Sequence, residues 1–391
     1  MGDLNSRSRP LVVVAEYYAS GGTRTYVKQL LELYGQRGQK IVLVAIHPEP
    51  DPEIQCLLNR YGFEFANYWS LMNQSRSATR CEGSPAVWSL ASQRRERRAF
   101  SRFAESVDAQ GIVVTAGTPG QFAGASSAVR SGLYILHTYP HGRRQTLLGR
   151  VIMARMFRRT ARFVAVSEFQ KSEMIKYWRL ASRARDIAVV LNTAGPALEA
   201  VGAETDHPVN VITASWVEHY KAPDDWLAVA KEVVSARPTE EVTFTWMGEG
   251  SMLDQMRTEA AVGDLAGRVD FRGHVNDVAP AYQCASAYLQ MSTTENMSLS
   301  VIEALRFGVP AVVTRVGGLP EIVEAGRSGF IVDAGDIGGA ASALNTLLSN
   351  ASLRGQMAEQ ARLRYREKFS PERWSSSMNE VHDELFGDRS T

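Results

Sequence analysis

Cysteine is scarce in this chain of 391 residues: Cys56, Cys81 and Cys284 are three in number and far apart. That count suits neither a disulfide framework nor a thiolate metal site, and it is the usage expected of a reducing cytoplasm. An uncharged apolar run of about 18 residues, enough to span a bilayer, is also missing. The first ten residues are polar, and the run that follows, Leu11 to Ala15, is too short for a signal-peptide core. We therefore expect a cytoplasmic protein, at most peripheral on the inner face of a membrane. No Asp-rich motif or Cys/His cluster stands in ligand spacing, so no metal is expected. Gly248-Glu249-Gly250 lacks the third glycine that a nicotinamide site wants in G-x-G-x-x-G.

Apolar material is plentiful. Hydrophobic residues make up 45% of the chain and charged ones 22%, which supports sizeable cores, and the length suits two domains. The net charge of +1 conceals a division. Residues 1–200 carry 27 Lys and Arg against 15 Asp and Glu, whereas the remainder carries 16 against 27. The first half is thus suited to face something anionic, and the second is not.

Short β-branched runs alternate with helical patterns along the chain. Leu11 to Ala15 is followed by Ser20-Gly21-Gly22-Thr23 and a helix carrying Tyr26, Leu30, Leu31 and Tyr34. Further strands are expected at Lys40–Ile46, Ile112–Thr115, Leu133–His137, Phe163–Val166 and Ala188–Leu191. After an Ala-, Gly- and Pro-rich stretch the pattern restarts at Val209–Ala214, Val242–Met247, Val269–Arg272, Ala287–Met291, Ala311–Thr314 and Gly329–Val332. Uninterrupted apolar strands separated by helix-length segments predict two doubly wound α/β domains. We place the first at 1–193, a linker at 194–208 and the second at 209–369. A terminal helix at 370–391 is expected to pack back toward the first domain.

The stretch Met291 to Glu321 carries the most chemistry. Glu295 sits just past a strand end, and Glu303 follows eight residues later on a helix that stops at Gly308-Val309-Pro310. The amides of Met297 to Ser300 lie at that helix's N-terminus, where unpaired N–H groups and the positive dipole end favour an anion such as a diphosphate. Carboxylates beside such an anion need neutral hydroxyl donors, and sugars supply them. The E-x7-E spacing, ENMSL where the family has EGFGL, EAL-FGVP, VGGLPEIV and GFIVDAGD together resemble the retaining glycosyltransferases of family 4, glycosyl transferases group 1, with the GT-B fold.

That resemblance implies two Rossmann-like domains facing a central cleft. It implies that Glu295 engages the transferred sugar, Glu303 the nucleotide ribose, and the backbone of Asn296, Met297, Ser298 and Leu299 the diphosphate. By the same resemblance Gly21 and Gly22 form an N-terminal glycine loop, His137 in ILHTYPHG stands beside the reacting sugar, Gly248 belongs to a G-x-G turn, and His274 and Val275 lie beside the base. Each of these glycine stretches also reads as a simple turn, and His137 also reads as a structural histidine. One departure stands out. Where the family has G-R-L-x-x-x-K-G, this chain has Ser215 to Ala222, keeping Lys221 but placing Trp216 at the arginine and Ala222 at the glycine.

A basic stretch from His141 to Phe163 holds Arg143, Arg144, Arg150, Arg155, Arg158, Arg159 and Arg162 among apolar residues, without an acid. It reads as an amphipathic face for an anionic membrane surface, or as a solvated helix whose apolar side is core. No nucleic-acid motif accompanies it. The expected function is a retaining transfer from a nucleotide sugar to a glycan, lipid-linked or small-molecule acceptor, with no cofactor. The alternative is a degenerate subunit that binds a nucleotide sugar or a partner transferase without turnover.

Overall fold

The computed structural model describes residues 9–16, 22–72, 90–142, 146–198 and 209–387. They form two compact units, one comprising the chain up to Val190 together with the residues from Ser375 onward, the other Leu191–Trp374. Each unit is built on a parallel sheet whose inner strands are largely apolar runs buried on both faces.

In the first unit the strands are β1 (Leu11–Ala15), β2 (Ile41–Ala45), β3 (Glu64–Asn67), β4 (Gly111–Ala116), β5 (Gly132–Leu136), β6 (Arg162–Ala165) and β7 (Ile187–Val189). Their order is β3-β2-β1-β4-β5-β6-β7, every neighbour parallel. Strand order reverses between β1 and β4, the place where an open α/β sheet leaves a crevice at its carboxyl edge. Strand β3 was absent from the sequence expectation. Its residues, EFAN, are half-buried or exposed at the sheet edge, so they carry no continuous apolar run.

The second unit holds β8 (Val209–Ala214), β9 (Val242–Met247), β10 (Val269–Gly273), β11 (Ala287–Gln290), β12 (Ala311–Thr314) and β13 (Gly329–Val332), in the order β10-β9-β8-β11-β12-β13 and again parallel. Here the order reverses between β8 and β11. Trp226, Phe244, Trp246 and Phe271 stack together in the core beneath this sheet.

The boundary at Val190/Leu191 lies three residues before the expected end of the first domain. Residues that read as linker are tied to the second unit instead: the Tyr365 hydroxyl donates to the Gly195 carbonyl, and Arg306 Nε donates to Pro196 O at 2.7 Å. The rest of the expected linker, 199–208, lies outside the described residues. The terminal helix Pro371–Phe386 passes from one unit to the other, and from Ser375 it packs on the first. There Tyr26 Oη donates to Met378 Sδ at 3.4 Å, Arg37 donates to Asn379 and Asp383 at 2.6 Å each, and Arg162 forms an ion pair with Glu384.

One buried acid gives the first unit a pH dependence. Glu96, on the helix Leu90–Ser106, is fully buried and accepts hydrogen bonds from Tyr68 Oη at 2.6 Å and Gly124 N at 2.8 Å. Burial pushes its carboxyl up to about 7 despite these bonds, which act in the opposite direction. Between its ordinary value of 4.5 and 7, the folded chain keeps a proton that the unfolded chain releases. This contribution to stability is therefore greatest below that window and falls as pH rises through it, by about 3 kcal/mol in total. Urea unfolding of the wild type and Glu96→Gln at pH 5 and pH 7 is expected to show a flatter pH slope for the variant; equal slopes would reject this account.

Candidate functional site

Two loops meet at the carboxyl edge of the second sheet, one leaving β8 and one leaving β11. Because strand order reverses between these strands, no crossover fills the gap there, and the side chains of both loops converge. Lys221, on the loop after β8, is 8% exposed and forms an ion pair with Glu295, on the loop after β11. An ion pair this enclosed is expensive to desolvate and is retained where both charges have further hydrogen-bond partners. Glu295 has them: Gln290 Nε2 donates to its Oε2 at 2.9 Å, and the Asn296 amide donates to its Oε1 at 3.1 Å. The Lys221 ammonium also lies 5.4 Å from the centre of the Tyr220 ring.

The loop after β11 is held from behind. Thr314 Oγ1 donates to Ser292 O at 2.6 Å, and Thr293 N donates to Tyr220 O at 2.9 Å. Gly317 supports it more closely still. It sits at φ +54°, and a Cβ placed there would lie 1.6 Å from the Glu295 carbonyl oxygen. The first glycine of the VGGLPE stretch is therefore required on two counts, backbone conformation and contact.

Asn296, Met297 and Ser298 are buried and lead into the helix Leu299–Phe307. Ser298 occupies the N-cap, yet no side chain caps this helix. The Ser298 hydroxyl is directed instead to Gln290 Oε1 at 3.0 Å and Ser300 Oγ at 3.1 Å. The first-turn amides are thus left without a side-chain partner, an arrangement that suits an anion. One turn on, Glu303 accepts a hydrogen bond from Tyr282 Oη at 3.1 Å. Burial raises its carboxyl above the usual range, while Tyr282 and Arg306 act to lower it.

The turn after β9 presses on the loop after β8. Gly248 and Gly250 sit at φ +149° and +159°, and a Cβ on either would fall within 2.2 Å of the Ser215 or Val217 carbonyl oxygen. Val217 N donates to Glu249 O at 2.7 Å, and Glu218 accepts from Ser251 N and Oγ at 2.8 and 2.7 Å. This packing presents Trp216 to solvent at 44% exposure. His274 is exposed beside β10, with Nε2 3.1 Å from Asn276 Oδ1, and Val275 follows it half-buried. Ala222, where the family has glycine, sits at φ +49° and ψ +58°. A Cβ in this left-handed region costs about 1 kcal/mol, so Ala222→Gly is expected to raise stability slightly despite glycine's greater freedom when unfolded. Chemical denaturation checks this, and a destabilised variant would count against the strain.

In the first unit, His137 follows β5, with its ring 4.5 Å edge-on from Tyr26. Burial lowers its imidazole to about 4, so it is neutral near pH 7. Gly22 opens the helix Gly22–Gln36, whereas Gly21 lies outside the described residues. The sequence reading passed over Glu16, which follows β1 buried at 3% exposure and hydrogen-bonded by Gln121. Gln290, Tyr282 and Gly317 were also unread. The only available signal was a polar residue closing an apolar strand, as at Glu16 and Gln290.

The arginines separate. Arg143 and Arg144 lie outside the described residues. Arg162 is engaged by Glu384 and by Arg185 O at 3.0 Å, and the Arg150 guanidinium lies 4.8 Å from the Tyr177 ring centre. Arg155, Arg158 and Arg159 remain exposed. Beside them comes Arg97, from the helix Leu90–Ser106: burial, then the charges of Arg159, Arg94, Arg98 and Arg158, hold its guanidinium below the ordinary value. Arg94, Arg97 and Arg98 therefore share one surface with Arg158 and Arg159, and Leu147 and Leu148 stand exposed at 75% and 70% on the helix Leu147–Met156.

Comparison with known proteins places this geometry. Residues 207–350 match the sequence profile of the family described as Glycosyl transferases group 1. N-acetyl-alpha-D-glucosaminyl L-malate synthase of Bacillus anthracis is 33% identical over 121 residues, 31% of this chain and 32% of that one. A D-inositol 3-phosphate glycosyltransferase of Pseudarthrobacter chlorophenolicus is 27% identical over 216 residues, 52% of this chain and 51% of that one. The matches to these curated relatives thus span only a third to a half of their length. Among solved structures, a glycosyltransferase from Rickettsia africae superposes with a TM-score of 0.75 at 13% identity, covering 98% of this chain and 100% of that one. Anabaena Alr3699/HepE in complex with UDP and glucose gives 0.73 at 15% identity, covering 96% and 100%. The chain has the two-domain GT-B fold of these glycosyltransferases, and its residues 207–350 match the glycosyl transferases group 1 family.

Proposed function

We propose that this protein is a retaining glycosyltransferase that moves a sugar from a nucleotide-diphosphate donor to a hydroxyl acceptor, which is a glycan, a lipid-linked sugar or a small molecule. The observation that carries this reading is the pairing of Lys221 with Glu295 beside an uncapped helix N-terminus, at the point where strand order reverses. The amides of Met297 to Ser300 and the Lys221 ammonium counter the diphosphate, Glu303 accepts from the ribose hydroxyls, and Glu295 accepts from the sugar. A neighbour of like fold holding UDP and glucose supports the donor class.

In the proposed reaction the bond from the anomeric carbon to the diphosphate oxygen breaks while the acceptor oxygen bonds to the same face. The departing oxygen takes the acceptor proton. Trp216 stands where the resemblance implies a second cation and offers a flat apolar face to a base or sugar. No metal or cofactor enters this scheme, because Lys221 and the backbone amides are the groups assigned to the leaving charge.

Thermal shift against UDP, GDP, ADP and their glucose conjugates tests the reading, since a ligand that binds the native state raises the melting temperature. A selective shift with one nucleotide and slow release of that nucleotide from its conjugate are expected. Binding without turnover would favour the degenerate subunit, and absence of both would reject a nucleotide-sugar protein.

We also propose that the shared arginine surface meets an anionic bilayer, with Leu147 and Leu148 entering the interface. Each basic side chain near such a surface contributes about 1 kcal/mol, screened by salt. Replacing Arg94, Arg98, Arg158 and Arg159 with Gln is therefore expected to reduce sedimentation with phosphatidylglycerol vesicles at least about tenfold at low salt, with little effect on phosphatidylcholine vesicles. Unchanged sedimentation would reject the surface. No helix among the described residues is long and apolar enough to cross a membrane.

A further inference from the structure

Gln290 closes β11 and is 1% exposed, a costly place for a primary amide unless its hydrogen bonds are made. They are made. Its Nε2 donates to Glu295 Oε2 at 2.9 Å and Ser292 Oγ at 3.1 Å, and its Oε1 accepts from Ser298 Oγ at 3.0 Å. One side chain thus ties both ends of the 292–298 loop to the end of a central strand, using both donors and the acceptor oxygen of its amide.

Two effects follow. The Glu295 carboxylate, already paired with Lys221, receives a second buried donor on the same oxygen, which restricts its rotation. At the other end, Ser298 stands at an N-cap, where serine ordinarily accepts from the first-turn amides. Its hydroxyl is instead directed to Gln290 and Ser300, and the helix start is left uncapped.

We infer that Gln290 is a positioning residue. Resting on the transferase reading above, it holds Glu295 toward the donor sugar and keeps the Ser298 hydroxyl away from amides that receive the diphosphate. A leucine at 290 would fill the same space without either bond. Ser298 would then be free to cap its own helix and compete with the anion, and Glu295 would lose its second anchor.

The test separates these two effects. Gln290→Leu is expected to lower kcat by about 10²-fold through a misplaced acid, and to weaken binding of the nucleoside diphosphate that shifts the wild type by about fivefold, the worth of a cap. Adding Ser298→Gly removes the competing hydroxyl. The double variant should recover wild-type diphosphate affinity within twofold while kcat stays low. A merely structural role would weaken affinity and kcat together and worsen with the second substitution, and that pattern would overturn the inference. So would a single variant within threefold of wild type in both quantities. If the wild type binds none of UDP, GDP or ADP, the transferase reading fails, and the clamp is judged by hydrogen exchange. Amides of 291–298 in Gln290→Leu are then expected to exchange at least about tenfold faster at an unchanged melting temperature, and equal exchange would remove the clamp as well.

Discussion

Glu295→Gln is expected to reduce sugar transfer by about 10²- to 10³-fold, the range seen when one preorganised polar contact to a reacting centre is removed. Nucleoside diphosphate binding should change little. The carboxylate is half of an enclosed ion pair with Lys221, so either Gln or Ala removes the countercharge; Gln is the more informative replacement because its amide oxygen still accepts from the ammonium and fills the same space. Glu295→Ala would leave that ammonium buried with no partner at all, at a cost of about 3 kcal/mol in stability that would blur the kinetic effect. Glu303→Ala provides the contrast. It removes the partner of Tyr282 and the proposed ribose acceptor, so nucleotide affinity should fall by about tenfold or more while bound donor still reacts. Isothermal titration with the diphosphate, paired with single-turnover transfer, distinguishes the two. Wild-type transfer by Glu295→Gln, or intact affinity in Glu303→Ala, would reverse the assigned roles.

Gly317→Ala is expected to reduce transfer by about 10²-fold without touching any ligand. Its Cβ would meet the Glu295 carbonyl at 1.6 Å, so the loop must move by more than an ångström or Gly317 must abandon φ +54°. A displacement of that size at a reacting group costs about 10²-fold, and alanine in the left-handed region adds about 1 kcal/mol of strain. Gly326, also at a positive φ (+76°) but with open space where a Cβ would sit, serves as the control. Ala at 326 should leave transfer within a few-fold, since the substitution forces no contact there. Full activity in Gly317→Ala would show that the loop tolerates displacement, and would weaken the Gln290 clamp with it.

The two sheets were legible in the sequence because a parallel strand buried on both faces must be a continuous apolar run. LVVVA, IVLVA and AVVT leave little else to be read. Strand β3 was not legible, since an edge strand is half solvated and EFAN has neither an apolar run nor a clean alternation. The start of the helix that carries Glu303 was likewise visible from the glycine and proline that end it and the strand that precedes it. Which arginines share a surface was hidden. Arg97, on a helix, and Arg159, in the turn after another, are brought together only by the fold, and Arg162, counted with the surface group, is drawn off by Glu384 from the far end of the chain.

The sequence by itself determined the α/β alternation, the two-unit organisation, and the positions of Glu295, Glu303 and the helix start between them, because these depend on local periodicity and spacing. Only the tertiary structure decided that Lys221 pairs with Glu295, that Gln290 turns Ser298 away from its cap, and that Gly317 must lack a side chain. Each of those facts is a contact between residues distant along the chain or on opposite ends of a loop. Their partners are selected by the order in which strands lie side by side, and a linear pattern of apolar and polar residues does not encode that order.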